Sequence, residues 1–425
     1  MKETYRWNPY SDQPDISIPK KKRFWHHLKR LGSYASLISA DIPKITAIAS
    51  LYRKYWKTMY KTPCSIGNPF AISVSPLGKK NAELVSLLKE IRVSRTLVRV
   101  HSWDAKNLDH AEALCHILKQ EGLDISIALL QERQDVLNPT KWEKFLGLVF
   151  SRFKQYSSFF EIGHAWNRAK WGLWDYKEYL KLSRPALLLA KKHGVRLVGP
   201  AVIDFEFHLY PPILKEISFD IVSSFLYVDR VGAPENKQFG WNTSQKLALL
   251  RAVVDECSQN SPPIWITEVN WPLKGTGKFS PVSEELNVTE EEQASFLVRY
   301  YVLCLASGFV ERIYWWQLIA PGYGLVDSRK EPWRKRPSFY AFNTMVEHLK
   351  KSKFKRKIPH HRAEIYVFQK EQEIFAVVWA KEETNWGELI IPNEIKKVIS
   401  GDGKELPFDK NKVWIDGNPC YVMFK

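Results

Sequence analysis

Two segments of this 425-residue chain place chemically capable side chains at the ends of apolar runs. Pro263-Ile-Trp-Ile-Thr-Glu-Val-Asn-Trp271 presents Glu268 after β-branched and aromatic residues, with Asn270 and Trp271 just beyond it. Phe159-Phe-Glu-Ile-Gly-His-Ala-Trp-Asn167 closes a second such run with His164, Ala165, Trp166 and Asn167. Carboxylates are seldom buried without a partner, so an acid at the end of an apolar strand points to a site. Placed there, Glu268 can attack an electrophilic carbon or take a proton. Glu161 lies four residues before Ala165 on the same run, roughly 13 Å deeper at ~3.3 Å per residue, which argues for a structural role.

Such groups act only if a scaffold turns several strand ends into one mouth. From Cys64 to about Leu349, short apolar runs alternate with amphipathic helical stretches, the pattern of βα units. The expected strands are Phe70 to Val74, Thr96 to His101, Ile125 to Leu130, Phe159 to Gly163, Arg196 to Ala201, Ile221 to Phe225, Ile264 to Glu268 and Arg312 to Gln317. Between the last two, Thr289 and Glu292 form a capping box ahead of Phe296, Leu297, Tyr300, Tyr301 and Leu303. The expectation is an α/β chain folded as a (β/α)8 TIM barrel, with functional groups at the C-terminal strand ends. After Lys350-Lys-Ser-Lys-Phe-Lys-Arg-Lys357, short strands and turns such as Asp402-Gly403 and Asp416-Gly417 predict a small all-β domain. The predicted organisation is a basic helical extension over residues 1–62, a barrel over 63–350 and a β-sandwich-like domain over 351–425. Within the extension, residues 1–20 read as an irregular arm.

The two strand-end segments resemble the fourth and seventh strands of clan A glycoside hydrolases, nearest to the family 39-like branch. In that branch the fourth strand usually reads E-I-G-N-E-P-N and the seventh I-T-E followed by an aromatic. The resemblance spans roughly residues 64–425 and implies cleavage of glycosidic bonds by two carboxyl groups, about 5 Å apart in retaining enzymes. It makes Glu268 the nucleophile or base. The family's acid/base glutamate aligns with Ala165 and the asparagine before it with His164. A replacement donor would come from Glu132 after the third strand, Asp204 or Glu206 after the fifth, or His164 itself. Arg99 corresponds to the family arginine beside the nucleophile, where a cation keeps a carboxylate ionised. His101, two residues on, faces the same way. Asn167 and Tyr227 fall where these enzymes hold sugar hydroxyls, and Trp166, Trp271, Trp316 and Gln317 complete the expected sugar-binding set. Trp315 and Trp316 point oppositely, so one of them belongs to the core.

Losing the usual acid is compatible with three outcomes. A relocated donor could act, with inversion at a carboxyl separation of ~6.5–9.5 Å. A substrate needing less protonation, such as an acidic sugar of a surface polysaccharide or lipopolysaccharide, could suffice. Alternatively, the barrel binds glycan in polysaccharide or lipopolysaccharide assembly without cleaving it.

Charge and composition bound the partners. The net charge is +17, and residues 1–63 hold 13 lysines and arginines against four acids. Phe24, Leu28, Leu31, Tyr34 and Ile38, then Ile48, Leu51, Tyr55 and Met59, recur at helical spacing among these cations. Such helices either lie peripherally on an anionic membrane or pack on the barrel. No nucleic-acid-binding signature accompanies the charge, so the expected partner is a carbohydrate, preferably anionic. Five cysteines without C-x-x-C spacing suggest reduced thiols. Histidines without H-x-x-x-H or H-E-x-x-H spacing predict no metal, and no cofactor is expected. No apolar signal core follows the early charges, which suggests a cytoplasmic protein, either free or peripheral on the inner face of the membrane.

Overall fold

The computed structural model describes residues 7–15, 19, 32, 39, 42–229, 232–381 and 386–425. The apolar positions Phe24, Leu28, Leu31, Tyr34 and Ile38 lie outside them. Eight parallel strands close into a barrel: β1 (Phe70–Val74), β2 (Arg95–His101), β3 (Asp124–Leu130), β4 (Phe159–Ile162), β5 (Arg196–Ile203), β6 (Ile221–Phe225), β7 (Ile264–Val269) and β8 (Val310–Trp315). They read as nearly continuous apolar runs because both faces are covered. Ala71, Leu97, Ala128, Val198, Trp265 and Tyr314 fill the interior, while the outward residues pack under the helices.

Strand β7 departs from simple alternation. Trp265 points inward, whereas Ile264, Ile266 and Val269 belong to the outer layer. Strict alternation would send residue 268 outward with 264 and 266. A register irregularity against β8 between Ile266 and Val269 inverts the phase, which turns Glu268 into the mouth. On β4 the comparable device is Gly163, whose φ of +88° comes where a Cβ would collide with the Tyr179 ring.

The chain ends in two antiparallel sheets packed on a core that includes Val378, Leu389, Val398, Val413 and Val422. One difference from the sequence reading is the basic run, which forms a strand over Lys353–Ile358 with Phe354 buried and its charges outward. The edge of that six-stranded sheet is Cys64–Ser65, just before the chain enters β1. The layers meet elsewhere too: Trp379 Nε1 donates to Glu235 Oε1 at 2.9 Å, and the same carboxyl group pairs with Arg299.

Helix Ile45–Thr58 packs on helix Thr243–Cys257 through the Tyr55 hydroxyl to Asp255 Oδ2 at 2.5 Å and Lys44 Nζ to the Glu256 carbonyl at 2.8 Å. Ile45 and Trp56 remain exposed on it, as does Ile42 in the turn that precedes it. Among the described residues, no helix is long and apolar enough to cross a membrane.

The arm expected to be irregular instead contains a hairpin across the barrel mouth. Trp7–Asn8 pairs with Gln13–Pro14, and Asn8 Oδ1 accepts from the Tyr10 amide at 2.9 Å to tighten the turn. Trp7 is docked against His101, Trp103 and Trp171, with ring centroids 4.7, 5.4 and 6.0 Å apart. Its aromatic burial orders a segment whose polar composition alone suggests a loose arm.

Candidate active site at the barrel mouth

Glu268 is buried, and each of its oxygens has its own donor. Arg99 Nη2 reaches Oε2 at 2.5 Å and the Tyr227 hydroxyl reaches Oε1 at 2.8 Å. Burial is the largest influence on its carboxyl and raises the pKa; Arg99 and Tyr227 pull the other way. Tyr227 is itself held well above its usual range by burial and by Glu268, so it serves as a neutral donor. A cavity of about 420 Å³ opens beside this group, lined in part by Asp12, His164, Ala165, Arg168, Trp171, Asp204, Asn270 and Tyr323.

Arg99 organises the floor. Its guanidinium lies 3.2 Å from the Trp316 ring centroid, and Nη2 also contacts His164 Nε2 at 3.0 Å. Arginine only donates, so His164 Nε2 is an acceptor and has no proton to give. Burial and the Arg99 charge push the imidazole well below its ordinary pKa, which keeps it neutral. The ring proton then sits on Nδ1, which is buried with no hydrogen-bond partner, so the expectation of His164 as proton donor is corrected: it positions the guanidinium.

Other expected site residues fall elsewhere. Glu132 caps helix Arg133–Leu137 and pairs with Lys141 at 2.6 Å, outside the cavity lining. Glu206 is held by Asn167 Nδ2 at 2.9 Å and Arg168 Nη1 at 2.5 Å, also outside the lining. Asn167 is a clasp between strand-end loops, since its amide bonds both the carbonyl and the N–H of Ile203. Trp166 stacks on Tyr179, and Trp271 packs among Phe296, Tyr300 and Trp315; both are core residues rather than sugar platforms. Trp316 does line the cavity, but Arg99 covers one face and Tyr323 stacks alongside, so it presents an edge. His101 is sandwiched with Trp7 and Trp103, and Gln317 faces the hairpin.

The side chain missed by the sequence reading is Asp12, at the hairpin turn with φ of +52°. Its carbonyl and Oδ2 accept from Arg99 Nη1 at 3.2 and 3.3 Å, and Oδ2 also accepts from Gln317 Nε2 at 3.1 Å. Asn8-Pro-Tyr-Ser-Asp12 carries a local turn signal, but no local signal says that the turn docks on a residue 87 positions away.

Deeper in the barrel, burial pushes the Glu161 carboxyl up to about 7. A raised acid binds its proton more tightly in the folded chain, so stability declines as pH rises from the unfolded value through about 7. The shift corresponds to about 3 kcal/mol at alkaline pH, at 1.36 kcal/mol per unit. Glu161→Gln should therefore raise the urea midpoint at pH 8.5 and leave it nearly unchanged at pH 4.5, flattening the pH profile between them.

No known protein-family model matches the sequence, and no curated protein does. Among solved structures, the chain is similar to a family 39 glycoside hydrolase from the gut symbiont Bacteroides cellulosilyticus WH2, with a TM-score of 0.66 and 15% identity over 85% of this chain and 81% of that one. It is also similar to a GH30 endoxylanase from Clostridium papyrosolvens C71, with a TM-score of 0.58 and 11% identity over 86% and 98% of the two chains. A GH51 arabinofuranosidase from Xanthomonas axonopodis pv. citri gives a TM-score of 0.59 and 10% identity over 85% and 97%. At these identities the likeness is one of fold: a (β/α)8 barrel with a C-terminal β domain, as in clan A glycoside hydrolases.

Proposed function

We propose that this protein is a glycoside hydrolase acting on a glycan, with Glu268 as the attacking carboxylate. The observation that carries this reading is Glu268 itself, buried at the barrel mouth with one donor on each oxygen beside a cavity. Arg99 favours the ionised form that attack requires, Tyr227 fixes the orientation of the carboxylate, and burial strips it of water. When Glu268 bonds to an anomeric carbon its charge is consumed, and both donors remain to stabilise it when the ester is cleaved.

The lining suits a sugar ring. Trp171, Tyr227 and Tyr323 offer aromatic surface for C–H faces and Trp316 an edge, while Asn270, Arg168 and Asp204 offer donors and acceptors for hydroxyls. Arg99 is paired with Glu268 and Asp12 and Arg168 with Asp204 and Glu206, while Lys170, also in the lining, donates to Gln13 Oε1.

The test is a panel of 4-nitrophenyl α- and β-glycosides and bacterial polysaccharides offered to the full-length protein. Release of nitrophenol or new reducing ends above the blank is the expected result. A panel with no cleavage at any pH between 4 and 9 would overturn the assignment.

A further inference from the structure

Hydrolysis through Glu268 needs a second carboxyl group to protonate the leaving oxygen, and position 165 offers only a methyl group. Among the described residues, Asp12 and Asp204 are the other carboxyls that line the cavity, and Glu161, Glu132 and Glu206 are the further acids to weigh. Glu161 is in the barrel interior, and Glu132 and Glu206 lie outside the cavity lining in ion pairs with Lys141 and Arg168. Asp204 lines the cavity, but its carboxylate pairs with Arg168, which is drawn outward by Glu206. Asp12 lines the cavity and contacts the same guanidinium as Glu268, at Nη1 where Glu268 takes Nη2. Two hydrogen bonds and the width of one guanidinium keep the two carboxyls within about 8 Å of each other, a ceiling that admits the separation of about 5 Å used by retaining enzymes.

From this geometry we infer that Asp12, carried in by the N-terminal hairpin, is the proton donor that replaces the missing acid at position 165. The inference rests on the reading of Glu268 as nucleophile. Both side-chain contacts of Asp12 are made by Oδ2, which leaves Oδ1 to carry a proton. Its left-handed backbone, tolerated by aspartate better than by most residues, lets carbonyl and carboxylate face Arg99 together. Burial acts in the same direction by raising its pKa.

The step balances as follows. Glu268 forms a bond to the anomeric carbon while the bond from that carbon to the leaving oxygen breaks. The departing oxygen takes the Asp12 proton and leaves as an alcohol. Asp12 carboxylate then removes a proton from water, whose oxygen attacks the anomeric carbon and releases Glu268, restoring both groups. The hairpin is thus part of the catalytic centre, contributed by a segment of chain outside the barrel.

The experiment compares Asp12→Asn with wild type on the aryl glycoside that the full-length protein cleaves, using phenyl and 2,4-dinitrophenyl leaving groups. Loss of a proton donor should slow the phenyl substrate about 10²–10⁴-fold. The dinitrophenyl substrate, which needs no protonation to leave, should lose far less in its first step, and added azide should restore turnover. Asp204→Asn is measured in parallel, together with a chain lacking residues 2–15. Equal losses on both leaving groups, the leaving-group dependence appearing in Asp204→Asn instead, or faster turnover by the truncated chain would overturn the role of Asp12. The last result would make the hairpin a plug. Wild-type protein that cleaves no member of the panel would sink the hydrolase reading itself, a failure visible before any variant is compared.

Discussion

Replacing Glu268 with Gln should reduce turnover of any glycoside this protein cleaves by at least about 10⁴-fold, the order seen when a covalent nucleophile is removed. The amide keeps the size, its oxygen can accept from Arg99 and its NH2 can donate to the Tyr227 hydroxyl oxygen, but it cannot form the glycosyl ester. Without a second carboxylate beside it, Asp12 can ionise against Arg99 in this variant, so the change does not strand a cation in the floor. The melting temperature should consequently move little while activity disappears. Turnover within tenfold of wild type, in a protein verified by mass, would remove Glu268 from the reaction. Because its pKa is raised, the acid limb of the wild-type rate profile should lie above the ordinary carboxylate range. Activity is lost as pH falls through that limb, since only the ionised form attacks.

The largest stability effect is expected at Arg336. This guanidinium is fully buried and donates to the carbonyls of Ala320, Gly324 and Pro321 at 2.9, 2.6 and 2.6 Å. It also donates to Glu290 Oε1 at 3.1 Å and pairs with Asp327 at 3.3 Å. Arg336→Ala leaves three carbonyls without their donor and removes the cation between two acids, a loss of about 3–5 kcal/mol or more. Arg336→Lys should recover little, because an ammonium cannot span the same fork of acceptors. Urea midpoints measure both, and a midpoint unchanged within error in the alanine variant would refute the account. The loop it anchors carries Tyr323, which stacks beside Trp316, so the variant should also loosen the floor under Arg99.

The barrel was legible because its strands are buried on both faces and its helices on one, and the two periods alternate along the chain. Position 268 was legible as an acid closing an apolar run, but its aim was not. That depends on a register irregularity in β7, which pattern reading by twos would have turned outward. Trp166 and Trp271 illustrate the converse error: aromatic residues near strand ends look like sugar platforms until their neighbours are known. Position 165 could be read as lacking its acid, yet the sequence held no local sign of Asp12. Its place depends on Trp7 docking beside His101 and on Arg99 reaching across the mouth. Such contacts are between distant residues, and local composition does not encode them.

The two-residue strand Cys64–Ser65 has a consequence for how this molecule comes apart. By pairing with Lys353 and Phe354, it splices the chain leading into β1 to the edge of the terminal sheet. Arg299 and Trp379, sharing Glu235, rivet the same two layers at another point. Heat absorbed by one layer is therefore shared with the other, and a calorimeter should record one endotherm where a barrel with a loosely tethered appendage would give two. Cleaving the chain after Leu349 would not trim an ornament but unstitch the wall of the barrel.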